Sequence, residues 1–150
     1  MLRGISPLLS PDLLETMYRM GHHDEIIFGD AHFPGESCNT KIIRADGLQI
    51  DDLLEAVLPL FVLDHVVDNP VMMMEPLPED KADTTISADY QKVHDGYHEI
   101  VQKHYPETAP IAQVGKWDFY EQTKKAFAVV MTGDTRIYAN LILAKGVTTW

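Results

Sequence analysis

Cysteine is almost missing from this 150-residue chain: Cys38 stands alone. One thiol closes no internal disulfide, and without a cysteine cluster nothing suggests a zinc knuckle or ribbon. Basic residues are scarce too. Twelve Lys and Arg face 23 Asp and Glu, a net charge of −11, so the chain lacks the positive surface that a phosphate backbone requires. DNA and RNA are not expected partners. No apolar run is long enough to span a membrane, and the opening Met1-Leu2-Arg3-Gly4-Ile5 lacks the apolar core of a secretion signal; a cytoplasmic location is expected. Also missing are the phosphate-binding glycine loop ending in Lys-Ser/Thr, the Gly-x-Ser-x-Gly nucleophile elbow and the dinucleotide fingerprint. Cys38 itself lies in a polar stretch with no evident basic neighbour, a poor setting for a nucleophile.

What is present is enough apolar material for a core, 45% of residues, so the expected organisation is one domain over residues 1–150. Ser10-Pro11-Asp12 reads as a helix start, with Leu13, Leu14, Met17 and Met20 at helical spacing and Gly21 as a left-handed stop. Residues 35–41 read as a polar loop and 42–47 as a short strand and turn. A helix is expected over 49–58, ended by Pro59. Phe61-Val62-Leu63-Asp64 and Pro70-Val71-Met72-Met73-Met74 are strand-like, the methionines serving as core filling. Residues 77–85 read as a surface connection. Ser87 is placed to cap a helix through 105 whose buried stripe is Tyr90, Val93, Tyr97, Ile100 and Val101. A further helix over 118–125 and buried strands at 126–131 and 140–144 complete an α/β pattern, helices packed on a sheet.

The richest stretch runs Met20-Gly21-His22-His23-Asp24-Glu25-Ile26-Ile27-Phe28-Gly29-Asp30-Ala31-His32-Phe33-Pro34, with three histidines and three carboxylates around a short apolar run. A buried strand there would carry polar groups at both ends, able to converge on a pocket. Histidine titrates near neutrality and a neighbouring carboxylate orients it or binds hydroxyls. Such a set suits a sugar or polyol and a shuttled proton, needing neither metal nor covalent nucleophile; spacing alone leaves the reaction open. His94 and His98, four apart on a helix, have metal-ligand spacing, but Asp95 and Gly96 depart from the His-Glu-x-x-His pattern and a solvated helix face explains them.

The same stretch resembles the L-fucose mutarotases, relatives of the D-ribose pyranases. The likeness continues in order through Ile43-Arg44-Ala45-Asp46-Gly47-Leu48, Asp52-Leu53-Leu54, Pro59-Leu60-Phe61, Leu63-Asp64, Phe119-Tyr120-Glu121, Lys125-Ala126-Phe127-Ala128, Thr132-Gly133, Tyr138-Ala139-Asn140 and Lys145-Gly146-Val147, and is weakest over 75–115. It implies a three-layer α/β fold with a central sheet flanked by helices, and an isomerase without cofactor that interconverts the α and β anomers of a free monosaccharide, most naturally L-fucose. By the same resemblance His22 is the general acid and Asp64 and Tyr120 take part in catalysis or binding. Asp30 and the Tyr138-Ala139-Asn140 element bind substrate. The resemblance also implies that copies assemble into pentamer-based rings, commonly homodecamers, with sugar sites close to subunit contacts. Two positions depart from the pattern. Lys116 stands where those enzymes carry an arginine, keeping the charge at a substrate-binding position but losing the planar fork; His23 stands where a bacterial relative has glycine. A ribose-type pyranase, a non-catalytic sugar-binding protein and a metal-dependent hydrolase on His22, His32 and Asp30, or on His94 and His98, are the competing expectations.

Overall fold

Uninterrupted apolar runs alternate with amphipathic segments, and in a computed structural model describing residues 2–149 they form a six-stranded sheet with helices on both faces. Met1 and Trp150 lie outside the described residues. The elements, in order, are α1 (Pro11–Arg19), β1 (Glu25–Gly29), α2 (Gly35–Cys38), β2 (Ile42–Ala45), α3 (Ile50–Val57), β3 (Val71–Glu75), α4 (Pro78–Ala82), α5 (Thr84–His104), β4 (Ala112–Gly115), α6 (Lys116–Lys125), β5 (Ala128–Thr132) and β6 (Leu141–Ala144). The strand order is β2-β5-β1-β6-β3-β4, and every strand runs parallel to its fellows except β6, which is antiparallel to both its neighbours.

The central strands β1, β5 and β6 are apolar except at the ends, Glu25 and Thr132, because both faces are covered. On one face Ile26, Phe28, Val130 and Leu143 meet Leu13 and Met17 of α1, Leu53 and Val57 of α3, and Val93 and Tyr97 of α5. On the other, Ile27, Val129 and Ile142 meet Phe33 and Phe119 of α6. The methionines divide by the same alternation: Met73 packs on the first face, Met72 and Met74 on the second. The expected core filling is what they do.

Several expectations are corrected. Ser10 caps α1 through its side chain as expected, accepting from the Leu13 N–H at 3.2 Å. Gly21, however, is not the left-handed residue; His23 is, at φ 69°. The Asp24 carboxylate accepts the Gly21 N–H at 2.7 Å, and the left-handed residue falls two positions later than a glycine stop would place it. Asp83, not Ser87, caps the long helix, accepting from the Thr85 and Ile86 N–H groups. The stretch before it folds into the one-turn α4 rather than an irregular connection, and the polar loop after Pro34 includes the single turn α2. Phe61-Val62-Leu63-Asp64 is not a strand: both edges of β6 are taken by β1 and β3, so only Leu63 bridges to Lys145 beyond them. β4, an edge strand with no apolar run, was not expected at all.

Candidate active site

The two ends of β1 set the geography. A strand of five residues at roughly 3.3 Å each is about 16 Å long and stiff, so Asp30 beyond one end and His22 before the other do not meet within one chain. The polar groups of the opening stretch fall into two separate places.

The first is a cleft of about 270 Å³ at the carboxyl end of the parallel strands, where open α/β sheets bind ligands. Asp30, Lys116, Tyr120, Tyr138 and Asn140 all line it, joined by His32, Phe33, Met74, Asp80, Ile86 and Ile137. Gly29 makes the bend after β1 possible: a Cβ there would stand 2.7 Å from the Phe33 ring. Asp30 is 5% exposed; its N–H donates to Asn140 Oδ1 at 2.8 Å and its carboxylate accepts the His32 N–H at 2.9 Å. Burial pushes the Asp30 carboxyl above its ordinary range, against the pull of those bonds. Tyr120 packs edge-on against Phe33, centroids 5.6 Å apart. Burial, with Cys38 and Asp30 nearby, pushes its hydroxyl up, so it keeps its proton at neutral pH. Lys116 opens α6, its ammonium 5.5 Å from the Trp117 ring centroid. The loop before Tyr138 is fixed by two half-buried ion pairs, Arg136 to Asp134 at 2.6 Å and to Asp51 at 2.9 Å, with the buried Asp134 also accepting the Ile50 N–H. Tyr138 itself is left-handed at φ 59° and donates its hydroxyl to Asp80. Ala139 does not line the cleft; its carbonyl accepts the buried Tyr97 hydroxyl at 2.9 Å.

The second place is at the amino end. Asp64, with a fully buried side chain, accepts the Val66 N–H at 2.8 Å, His22 Nε2 lies 3.4 Å from its Oδ1, and His23 Nδ1 lies 2.6 Å from its Oδ2. The two imidazoles stack, centroids 3.6 Å apart and 23° from parallel. Gly146 lets this form: a Cβ there would stand 2.6 Å from the Leu63 carbonyl oxygen and 2.9 Å from the Asp64 Cα. Burial raises the Asp64 carboxyl, but the Val66 N–H and the two imidazoles outweigh it and hold it below the usual range, an ionised acceptor.

The trio expected to share catalysis is thus divided: His22 and Asp64 are together, Tyr120 is at the far end. Neither His22, His32 and Asp30 nor His94 and His98 form a three-ligand group among the described residues. His22, His23 and Asp64 do, with ligand atoms within 4.8 Å of one another. Sequence reasoning did not find Asp80, whose proline- and charge-rich setting carries no periodic signal, or the cleft role of His32, visible only as one histidine among three.

A family model described as the RbsD / FucU transport protein family matches residues 3–148. An L-fucose mutarotase of Haemophilus influenzae (strain 86-028NP) is 43% identical over 148 residues, covering 99% of this chain and 98% of that protein. The solved fucose mutarotase of Streptococcus pneumoniae, in complex with L-fucose, is 40% identical with a TM-score of 0.88 over 99% of this chain and 100% of that one. Bacillus subtilis RbsD, complexed with D-ribose, shares the fold at 22% identity and a TM-score of 0.69, over 99% of this chain and 100% of that one. Matched from end to end by both the family model and close relatives, this chain belongs to the RbsD / FucU transport protein family.

Proposed function

We propose that the protein is a single-domain mutarotase that interconverts the α and β anomers of L-fucose without a cofactor. The observation that carries this is the cleft. Five of the residues expected to act on a sugar, far apart in sequence, line one polar hollow of about 270 Å³, in a chain 43% identical to an L-fucose mutarotase. A carboxylate, an amide, two phenols and an ammonium supply both donors and acceptors, as a polyol requires.

Mutarotation needs one proton removed from the anomeric hydroxyl and one delivered to the ring oxygen; the ring opens to the aldehyde, C1 rotates, and the ring closes on the other face. His22 is one proton-transfer group. With Nε2 turned to the ionised Asp64, its Nδ1 is left to accept a proton and return it. Both Asp64 oxygens are already engaged, so Asp64 orients the imidazole, and Tyr120, protonated in the cleft, is the second group. Asp30, Lys116, Tyr138 and Asn140 hold hydroxyls. Acid–base assistance of this kind gives about 10²–10⁴-fold, sufficient for a reaction that already proceeds in water.

Because His22 and the cleft lie at opposite ends of β1, a complete site takes its two halves from neighbouring copies, in a pentamer-based ring and as a homodecamer. Exposed apolar side chains support this: Tyr18, Leu60 and Val66 at the amino end, Trp117 and Ile137 at the cleft. No helix among the described residues is long and apolar enough to cross a membrane, and the cytoplasm is the proposed compartment.

The test is saturation transfer between the α and β H1 signals of L-fucose, with D-ribose beside it, for the parent chain and His22→Ala. Faster exchange on L-fucose that is lost in the variant is the expected result. Enhancement on D-ribose alone would replace the assignment with a pyranase, and full activity in a folded His22→Ala would remove His22 from the chemistry.

A further inference from the structure

Asp64 is a buried carboxylate held ionised, yet among the described residues no lysine or arginine pairs with it; its ionisable partners are the two imidazoles. The nearby Lys145 directs its ammonium to the Met17 carbonyl instead. Of the two histidines, the one expected to transfer a proton is the looser partner, at 3.4 Å, and the one no motif called for is the tighter, at 2.6 Å. His23 makes that bond from a left-handed backbone, φ 69°, which a residue with a Cβ rarely adopts. The strained turn is pinned on both sides: the His23 N–H donates to the Lys145 carbonyl at 2.8 Å, and the Lys145 N–H donates to the Asp24 carbonyl at 2.9 Å. Non-glycine residues held in this region cluster where function over-determines the backbone.

We propose that His23 is a positioning residue for proton transfer, acting through Asp64: the Val66 N–H holds Oδ1 at 2.8 Å, and by taking Oδ2 His23 completes the grip on the carboxylate, so that Oδ1 faces His22 and sets the imidazole's aim. This positioning role rests on the mutarotase reading of His22. With His23 removed, Oδ1 keeps the Val66 N–H but Oδ2 loses its partner, so one of the two bonds that fix the carboxylate plane is gone, and His22 loses both the fully fixed acceptor and the ring packed on its face. Substrate hydroxyls are held at the other end of the sheet, so the consequence falls on turnover and not on binding.

Two substitutions separate position from fold. His23→Gly deletes the ring while relaxing the left-handed backbone. His23→Asn accepts the same backbone, since asparagine is enriched there, and places an amide N–H donor close to where Nδ1 stands. In His23→Gly, kcat on L-fucose falls roughly tenfold, part of the general-acid contribution, with KM within about twofold, and the thermal midpoint is unchanged or higher. In His23→Asn most of kcat returns. The nitrogen-15 shift of His22 Nε2 reports the bond to Asp64 without any turnover: it moves in His23→Gly and stays near the parent value in His23→Asn. Parent-like kcat in His23→Gly, or equal losses in both variants, would overturn the proposal. His22→Ala, run alongside, keeps the two readings apart. If it is inactive while His23→Gly is unimpaired, only the positioning role falls; if it is fully active, the proton-transfer reading falls first. If the parent chain shows no exchange on L-fucose, the Nε2 shift decides by itself, and an unmoved shift removes the positioning role.

Discussion

At the carboxyl end of the sheet the polar side chains stand around an open hollow; at the amino end they close on one another. The cleft residues come from the loops after β1 and before β6, from β3, and from α4, α5 and α6, and they surround open space. His22, His23 and Asp64 face each other, with both oxygens of the one carboxylate engaged. Each end has a glycine that admits a close approach, Gly29 beneath Phe33 and Gly146 against Leu63 and Asp64, and each has a non-glycine residue with a left-handed backbone, Tyr138 and His23. The charges differ in sign of effect: burial leaves Asp30 reluctant to ionise, while hydrogen bonds keep Asp64 ionised. One end is built to bind something absent from the chain, the other to hold an imidazole in place, and the proposed reaction needs both.

The sharpest way to break this comparison is to separate the halves genetically. His22→Ala alone loses about 10²–10⁴-fold of the catalysed exchange, and Asp30→Asn is similarly impaired at the cleft. In the proposed ring, co-expression of the two variants gives mixed assemblies in which half the copies supply an intact amino end and half an intact cleft, so about a quarter of junctions are complete in both. Recovered activity of that order is expected; a mixture no better than either variant would place both halves of each site in one chain.

A second test presses on the glycines. In Gly146→Ala the new methyl meets backbone atoms, which cannot step aside, and we expect a loss of about 1–3 kcal/mol in denaturant unfolding, together with loss of turnover. Gly29→Ala meets the Phe33 side chain, which turns more easily, and its loss is expected to be smaller. Equal effects would mean that the amino end is no more tightly built than the cleft.

The third uses the opposite signs of the two carboxylates. Asp64 has a depressed native pKa, so its contribution to stability is present above the unfolded carboxylate value of about 3.9 and is lost as pH falls through the native value. Asp30 has a raised one: stability is full below the unfolded value and declines as pH rises through the native value. At pH 7, therefore, Asp64→Asn is expected to unfold more easily and Asp30→Asn less easily, each by about 1 kcal/mol. The Asp30 difference fades as pH falls from its raised native value towards about 4, and the Asp64 difference fades only below about 4. Thermal melts across that range check it, and shifts of the same sign would undo the distinction.

The smallest expected effect concerns Lys116. Lys116→Arg restores a planar fork able to grip two sugar oxygens, and KM for L-fucose should fall about threefold with kcat unchanged. An unchanged KM would take the ammonium out of contact with the sugar.

Much of the scaffold is legible because each signal is local. Ile26-Ile27-Phe28 and residues 126–131 and 140–144 read as strands because both faces of a covered sheet need apolar side chains. Ser10 reads as a cap because its oxygen reaches an N–H three residues on. The failures are equally physical. Phe61 and Leu63 are buried and look like strand residues, but whether a strand forms depends on a free sheet edge, which β6 does not offer. Gly21 looks like the helix stop, yet Asp24 bonds its N–H and passes the left-handed turn to His23.

Sequence by itself determined the residue types and, through ordered likeness along the chain, the family and the residues proposed for the site: His22, Asp30, Asp64, Lys116, Tyr120, Tyr138 and Asn140. Only the tertiary structure decided their company. Asp64 reaches His22 and His23 because the chain returns past the end of β6 against Gly146, and Asp80 reaches Tyr138 because a one-turn helix lies over the cleft. Likewise, β1 separates His22 from Asp30 although they are close in sequence. An extended strand is rigid and directional, so proximity along the chain there enforces distance in space, while the loops beyond the sheet bring together groups that no spacing rule connects.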